Sequence, residues 1–133
     1  MSAALHPAFG ELLDVMQVYF DGLYHSDTQR LRQVFHPQAL YACATDAPLL
    51  VRDMPSYFAV VDQRPSPASR GEPRRDEVLG IEFAGPVTAL VRARCAILPK
   101  HFIDLLTFVK TEGRWQVIAK VFHYEVSPSP ACR

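Results

Sequence analysis

An aspartate and a lysine in the last long apolar stretch of the chain are the residues most suited to chemistry. The stretch 102–125, FIDLLTFVKTEGRWQVIAKVFHYE, contains Asp104 and Lys120. Its Phe, Ile, Val and Thr residues indicate two strands joined by a tight turn. A three-residue turn, 111–113, is predicted, because a two-residue turn would force Glu112 to positive φ. That turn places Asp104 directly opposite Lys120.

The predicted register divides this hairpin into two faces. The face with Asp104 and Lys120 also carries Phe102, Leu106, Phe108, Gln116, Ile118 and Phe122. The other face carries Ile103, Leu105, Thr107, Val109, Trp115, Val117, Ala119, Val121 and His123. An oppositely charged pair among phenylalanines is not typical of a solvated strand face. We therefore expect the first face to line an interior.

Two kinds of chemistry are open to such a pair. Apolar walls raise the pKa of a carboxyl group, so that Asp104 could remove a proton next to a carbonyl. A neighbouring ammonium lowers the pKa again and favours a structural or ligand-orienting ion pair. The sequence leaves both interpretations open.

Three further residues are candidates for the same site. His36, between a predicted helix and strand, either caps backbone groups or reaches the site as a proton donor or acceptor. Tyr124 falls on the Lys120 face and can supply a hydroxyl at its rim. Cys95 lies opposite Asp104 if Pro99-Lys100 forms a two-residue connection, and is expected to be an inert apolar residue.

Composition and spacing exclude several classes of function. The formal net charge is +0, so nucleic-acid binding is not expected. No apolar run is long enough to span a membrane, and the N-terminus does not resemble a signal peptide. Three cysteines and five scattered histidines show no metal-ligand spacing, so no metal or cofactor is expected. A cytoplasmic protein with reduced thiols is predicted.

The rest of the chain reads as an α+β domain. Helices are predicted at 7–25, from the capping box Ser26-Asp27-Thr28-Gln29 to Pro37, and after Asp53. Strands are predicted at 38–44, 49–51, 77–84 and 87–98. The polar segment 62–76 is either a surface loop or a flap whose Arg70, Arg74 or Arg75 meets an anionic ligand.

Three pieces of the sequence, YFDGLYHSD, LRQVFHP and IDLLTFVKTEGRWQVIAKVFH, carry a family resemblance. The chain resembles the nuclear-transport-factor-2-like superfamily, which includes SnoaL-like cyclases, ketosteroid isomerase and scytalone dehydratase. Within it, the chain is similar to the putative lumazine-binding branch. The resemblance implies a curved antiparallel sheet packed on about three N-terminal helices, forming a cone with an internal pocket. The domain would cover residues 1–126, with a loose tail at 127–133.

The resemblance also implies a pocket and a homodimer. The residues predicted to bind a ligand are Lys120, Asp104, Phe102, Phe108, Phe122, Tyr124, Tyr57, Tyr19 and Cys95. The outer sheet face would form the dimer through Arg92, Arg94, Thr107, Trp115, Val117 and His123.

The leading functional interpretation is binding of a small, flat, partly polar organic molecule. Lys120 would meet a ligand oxygen, and Asp104 would accept a hydrogen bond from a ligand N–H. A second interpretation is a cofactor-independent isomerase, dehydratase or cyclase that uses Asp104 or His36 for proton transfer. A third is a dimeric interaction module with a filled cone.

Overall fold

A computed structural model describes residues 6–127, which form three helices and one six-stranded sheet. The elements in chain order are α1 (Phe9–Tyr24), α2 (Thr28–Val34), β1 (Phe35–Cys43), β2 (Leu50–Arg52), α3 (Met54–Gln63), β3 (Glu77–Phe83), β4 (Thr88–Ile97), β5 (Lys100–Thr111) and β6 (Arg114–Val126). The strand order is β2-β1-β6-β5-β4-β3. The predicted α+β class is confirmed, whereas the predicted tail lies outside the described residues from 128 onward.

The sheet is mixed rather than purely antiparallel. β1 runs parallel to β6, with Tyr41 beside Lys120, and every other neighbouring pair is antiparallel. The parallel pair joins the first strand of the chain to the last. Such a distant pairing leaves no local sequence signal, because nothing near either strand depends on its partner.

Local capping residues explain where two of the helices begin. The Asp27 side chain accepts hydrogen bonds from the backbone N–H groups of Gln29 and Arg30, at 3.0 and 3.3 Å. Asp53 likewise accepts one from Ser56, at 3.0 Å. These bonds satisfy helix N-terminal donors that have no partner within the helix. The predicted end of α2 at Pro37 is wrong, because β1 already begins at Phe35.

The helices pack against one face of the sheet and enclose the core. Along α1 the buried residues are Leu12, Met16, Tyr19, Phe20, Gly22 and Leu23. A Cβ atom on Gly22 would lie 2.7 Å from Leu31 Cδ2, so glycine is what lets α1 and α2 approach so closely. The arrangement directs the side chain of Tyr19 towards the sheet.

The turn between β5 and β6 has two residues, so the predicted three-residue turn is wrong. Thr111 pairs with Arg114, and both Glu112 and Gly113 have positive φ, at 52° and 76°. Two successive positive φ values match the right-handed twist of a hairpin. The turn therefore requires a strained, positive φ at Glu112, a residue with a Cβ atom.

A bulge at Ile118 changes the register a second time. Phe108 pairs with Val117, but Thr107 pairs with Ala119. Asp104 therefore lies opposite Phe122, and Lys120 opposite Leu106, instead of facing each other. The extra residue, Ile118, moves the following residues of β6 back to the faces that the three-residue turn had predicted. Asp104 and Lys120 therefore share one face, as predicted.

The same two changes overturn part of the predicted dimer face. Between the turn and the bulge, Trp115 and Val117 point into the core, where they are 5% and 0% exposed. The three-residue turn had placed them on the outer face. A one-residue shift in register moves each side chain to the opposite face, which explains the error.

Candidate functional site

Asp104 is held in the interior by residues from a helix and a neighbouring strand. Its side chain is 0% exposed. The Tyr19 hydroxyl donates a hydrogen bond to Oδ2 at 2.6 Å, and the Cys95 thiol lies 3.8 Å from the same oxygen. Cys95 pairs with Phe102 rather than with Asp104 as predicted, because the turn between the strands is Leu98-Pro99. The two residues nevertheless share the inner face of the sheet.

The other oxygen of Asp104 has no partner. Oδ1 is enclosed and accepts no hydrogen bond from any residue between 6 and 127. Leaving a buried carboxylate oxygen without a donor costs free energy, and nearly all buried polar groups in folded proteins have a partner. The orphaned oxygen is therefore a feature that needs an explanation.

Lys120 lies among aromatic rings on the same face. It is 5% exposed. Its Nζ atom is 5.2 to 5.4 Å from four ring centroids, those of Tyr19, Tyr41, Tyr57 and Phe122. Within residues 6–127 this ammonium makes neither an ion pair nor a hydrogen bond. The predicted direct contact between Lys120 and Asp104 is thus replaced by a cage of rings that attracts the cation through their π-faces.

The charges of the cluster fix the protonation of its other members. Burial, the largest influence, acts to lower the pKa of Lys120, but the negative charge of Asp104 together with smaller contributions from Tyr57, Tyr41 and Cys95 raises this pKa overall. Burial, with the charge of Asp104, raises the pKa values of Tyr19 and Cys95. At neutral pH, Lys120 is a cation, while Tyr19 and Cys95 are neutral. Lys120 is thus a hydrogen-bond donor rather than a nucleophile, and Cys95 is unreactive.

Sequence reasoning missed Tyr41, which belongs to this cluster, and Arg64, which lies at the end of α3. Tyr41 stacks on Tyr57, with ring centroids 4.6 Å apart, and lies beside Lys120 across the parallel strands. The Tyr57 hydroxyl and the Arg64 Nε atom are enclosed, and neither has a partner in the described part of the chain. No signal in the sequence could have placed Tyr41 here, because it depends on the pairing of β1 with β6.

The predicted aromatic residues divide between the core and the rim. Phe108 is fully buried in the core. Phe102 is half-buried and contacts Phe122 and Tyr124, with centroids 5.8 and 5.9 Å apart. The Tyr124 hydroxyl donates a hydrogen bond to Asp46 at the surface, away from Lys120.

His36 is engaged with the backbone instead of the cluster. Its Nδ1 atom accepts a hydrogen bond from the backbone N–H of Gln38 at 3.0 Å. No hydrogen bond joins this ring to Asp104 in the described residues. The capping interpretation of His36 accounts for this arrangement.

An open groove lies at the end of the sheet near the β4–β5 turn. Its volume is about 1010 Å³, and its walls include Cys95 and Phe102. Cys95 also borders a void of about 10 Å³, the size of one water molecule. Neither Asp104 nor Lys120 lines the groove, whereas Cys95, whose thiol contacts Asp104, does.

Hydrogen bonds and ion pairs hold segment 64–76 in place beside this groove. The Tyr24 hydroxyl donates a hydrogen bond to the Glu72 carbonyl at 2.6 Å, and the Leu98 N–H donates one to Glu72 Oε1 at 2.9 Å. Arg70 contacts Glu72, and Arg74 binds Asp21 and Asp76. Two of the three arginines expected to meet an anion therefore have partners within the protein, while Arg75 borders the groove.

The outer face of the sheet carries the remaining predicted interface residues. Arg92, Arg94 and His123 are exposed there, and Thr107 is half-buried. Apolar side chains lie between them: Ile103, Leu105 and Val121 are 40%, 42% and 49% exposed. This face is covered by no helix of the domain.

Neither a metal cluster nor a membrane-spanning helix occurs within residues 6–127. In that range no three His, Cys, Asp or Glu side chains lie close enough together to hold a metal ion. None of the three helices is long and apolar enough to cross a membrane.

Comparison with known families identifies the domain. Residues 7–123 match the family described as "Putative lumazine-binding". The chain belongs to this family. A curated relative, the aldolase FrzH of a Cladobotryum species, is 25% identical over 107 residues, which cover 79% of this chain and 82% of that protein.

Solved structures of the NTF2-like fold resemble the domain over most of its length. An NTF2-like protein of unknown function from Shewanella baltica has a TM-score of 0.81 and 23% identity, covering 96% of this chain and 100% of that one. A ketosteroid isomerase-like protein from Erwinia carotovora atroseptica has a TM-score of 0.70 and 12% identity, covering 93% and 100%. The lumazine-binding family member described here therefore has the NTF2-like cone fold, as the sequence predicted.

Proposed function

We propose that this protein binds a small, flat, partly polar organic molecule at the cluster around Asp104 and Lys120. The observation that carries the proposal is that Asp104 Oδ1 is enclosed without a hydrogen-bond partner within residues 6–127, while Lys120 on the same face, 5% exposed, has aromatic rings around its ammonium and forms no ion pair in that range. A folded protein does not ordinarily leave an acceptor and a donor of opposite charge unsatisfied in one cluster. A ligand that supplies one donor and one acceptor would satisfy both.

The side chains of the cluster describe the ligand that would fit. The rings of Tyr41, Tyr57 and Phe122 surround the ammonium, and such aromatic walls suit a planar ligand, which would have to displace the stack of Tyr41 on Tyr57 to lie among them. A carbonyl oxygen of that ring would accept from Lys120, and a ring N–H would donate to Asp104. Lumazine, a bicyclic ring with carbonyl and N–H groups, meets these requirements, and the family description names it. It is the first compound to test.

Titration with lumazine, followed by its fluorescence, tests the proposal. We expect saturable binding by the wild type and at least roughly tenfold weaker binding by Lys120→Met, because a charge-assisted hydrogen bond contributes about 1.5–3 kcal/mol. Lys110→Met is the matched control, since Lys110 lies at the surface beside Glu11. Circular dichroism checks that each variant is folded. If Lys120→Met is unfolded, the double variant Asp104→Asn/Lys120→Met is titrated in its place. Absence of saturation, or equal affinity in all variants, would contradict the proposal.

A proton-transfer enzyme is the second candidate, favoured by the similarity to a protein named as an aldolase. In this case Asp104 would remove a proton from the carbon next to a carbonyl, and Lys120 would stabilise the enolate oxygen. Deuterium exchange into hydroxyacetone, measured by NMR in D₂O, is a simple probe. Exchange that is lost in Asp104→Asn would support the enzyme, whereas lumazine binding without exchange on this or related ketones would favour the binding protein.

We also infer that two copies of the chain associate through the outer sheet face. Ile103, Leu105 and Val121 form an exposed apolar strip on it, and such strips are usually covered by a partner. Light scattering should give a dimer for the wild type and a monomer for Leu105→Glu. A dimer that binds no ligand would instead support the interaction module, and a wild-type monomer would contradict this inference.

A further inference from the structure

We infer that the ligand carries one negative charge and that Arg64, at the end of α3, binds the anionic group. This inference rests on the proposed ligand site and adds the charge of the ligand to it. Its basis is an arginine on the Tyr57 side of α3 whose Nε atom is enclosed and which has no acidic partner within residues 6–127.

The end of α3 sets the direction of Arg64. Tyr57, Val61 and Arg64 follow one another at four- and three-residue steps, which places them along one side of the helix. Tyr57 and Val61 are both buried, so this is the side that faces the interior. The Arg64 N–H still bonds to the Val61 carbonyl at 3.3 Å, while its extended backbone is what the following Pro65 requires.

The side chain of Arg64 is left without an acceptor. Its Nε atom is enclosed and makes no hydrogen bond with residues 6–127, and no carboxylate in that range forms an ion pair with it. An enclosed guanidinium N–H without a partner is costly for the same reason as the orphaned oxygen of Asp104. An acceptor that is absent from the protein itself would remove this cost.

The positive charge of Arg64 acts on the pKa values of two residues near Lys120 and Asp104. Burial raises the pKa of Tyr41 on β1, and the positive charges of Lys120 and then Arg64 oppose that rise. Arg64 has the same opposing effect on the pKa of Cys95 on β4, where burial again has the largest influence. Tyr41 and Cys95 lie on different strands, and the positive charge of Arg64 acts on the pKa values of both in the same direction as that of Lys120.

The charges of the site do not balance without a ligand. Asp104 and Lys120 compensate each other, and Tyr19 and Cys95 are neutral at pH 7 because their pKa values are raised. Arg64 then leaves one positive charge uncompensated. A ligand with one carboxylate would neutralise it, and the planar guanidinium suits a carboxylate because two N–H groups can bind its two oxygens.

A matched pair of ligands tests this inference. Lumazine and lumazine-6-carboxylate differ by one charge at about pH 6, where the carboxylate is ionised. We expect the wild type to bind the carboxylate about tenfold more tightly than lumazine, and Arg64→Gln to bind the two compounds about equally. Arg64→Lys should keep part of the preference. Arg30→Gln is the control, because Arg30 is exposed and pairs with Asp27.

Each result separates the inference from the function on which it rests. If both compounds bind equally well to the wild type, or if the preference survives in Arg64→Gln, the role of Arg64 is wrong and the ligand site still stands. If neither compound binds saturably, the proposed ligand site fails and the inference fails with it. Loss of the preference in Arg64→Gln alone supports the inference.

Discussion

Two buried carboxylates of this protein have opposite surroundings. Glu72 fastens the segment 64–76: its Oε1 accepts from the Leu98 N–H at 2.9 Å, and its Oε2 lies 3.2 Å from Arg70 Nε. The contact between Arg70 Nε and Glu72 Oε2 is short enough for an ion pair, but its geometry is not that of a hydrogen bond. Asp104 is more deeply buried, yet its Oδ1 has no contact of either kind in the described residues.

The difference separates a structural role from a functional one. At Glu72 each carboxylate oxygen has a neighbour of opposite polarity: Oε1 accepts from the Leu98 N–H, and Oε2, which accepts no hydrogen bond, lies beside the positive charge of Arg70. These contacts hold the segment in place. At Asp104 only one oxygen is satisfied, and the nearby ammonium is held by rings that offer it no acceptor. Removing a partner should therefore affect stability at both clusters, but should affect ligand binding only at the second.

The largest effect is expected from Lys120→Met. It leaves Asp104 as a buried charge without compensation and should lower the free energy of unfolding by about 3 kcal/mol. Adding Asp104→Asn should recover most of this loss, because no buried charge then remains. Urea unfolding at pH 7 measures both values. A double variant less stable than Lys120→Met would show that charge compensation is not what couples the two residues.

A smaller effect is expected from Tyr19→Phe. The variant removes the 2.6 Å hydrogen bond to Asp104. Because the acceptor is charged, the loss of unfolding free energy should be about 2 kcal/mol. Lumazine affinity should change as well, since the carboxylate loses its fixed orientation. Unchanged stability and affinity would mean that Tyr19 does not position Asp104.

Tyr24→Phe is the matched change at the structural cluster. It removes a hydrogen bond of the same length, 2.6 Å, to the neutral Glu72 carbonyl. A loss of about 1 kcal/mol is expected, with faster amide exchange in segment 64–76 and no change in lumazine affinity. A marked loss of affinity would show that this segment belongs to the ligand site and would remove the contrast between the two clusters.

The smallest effect concerns alkaline pH. Burial and the charge of Asp104 raise the pKa of Cys95 in the folded protein. Above the unfolded-state pKa of about 8.5, the unfolded chain releases this proton and the folded protein keeps it, so stability falls as pH rises. The loss should be about 0.8 kcal/mol near pH 9. Urea unfolding of Cys95→Ala between about pH 8 and 9 should lack this slope. A slope equal to that of the wild type would contradict the assignment.

The sequence was sufficient wherever the signal was local. Asp53 and the capping-box segment 26–29 mark helix starts that the structure confirms, although the cap of α2 is Asp27 rather than Ser26. The turn length was wrong because the twist of the strands outweighed the cost of positive φ at Glu112.

Non-local features could not be predicted. The bulge at Ile118 has no signal in the residue types around it. Beyond the bulge, the extra residue offset the wrong turn length, so the face of Lys120 was predicted correctly; between the turn and the bulge nothing offset it, so Trp115 was misplaced. Tyr41 reaches the cluster only through the pairing of β1 with β6.

A crystal structure of the protein with lumazine tests the central claim most directly. We expect the ring beside Tyr41 and Tyr57, with a carbonyl oxygen within hydrogen-bonding distance of Lys120 Nζ and a ring N–H at Asp104 Oδ1. Lumazine bound only in the outer groove, or a cluster that contains nothing except water in the presence of saturating lumazine, would contradict the account.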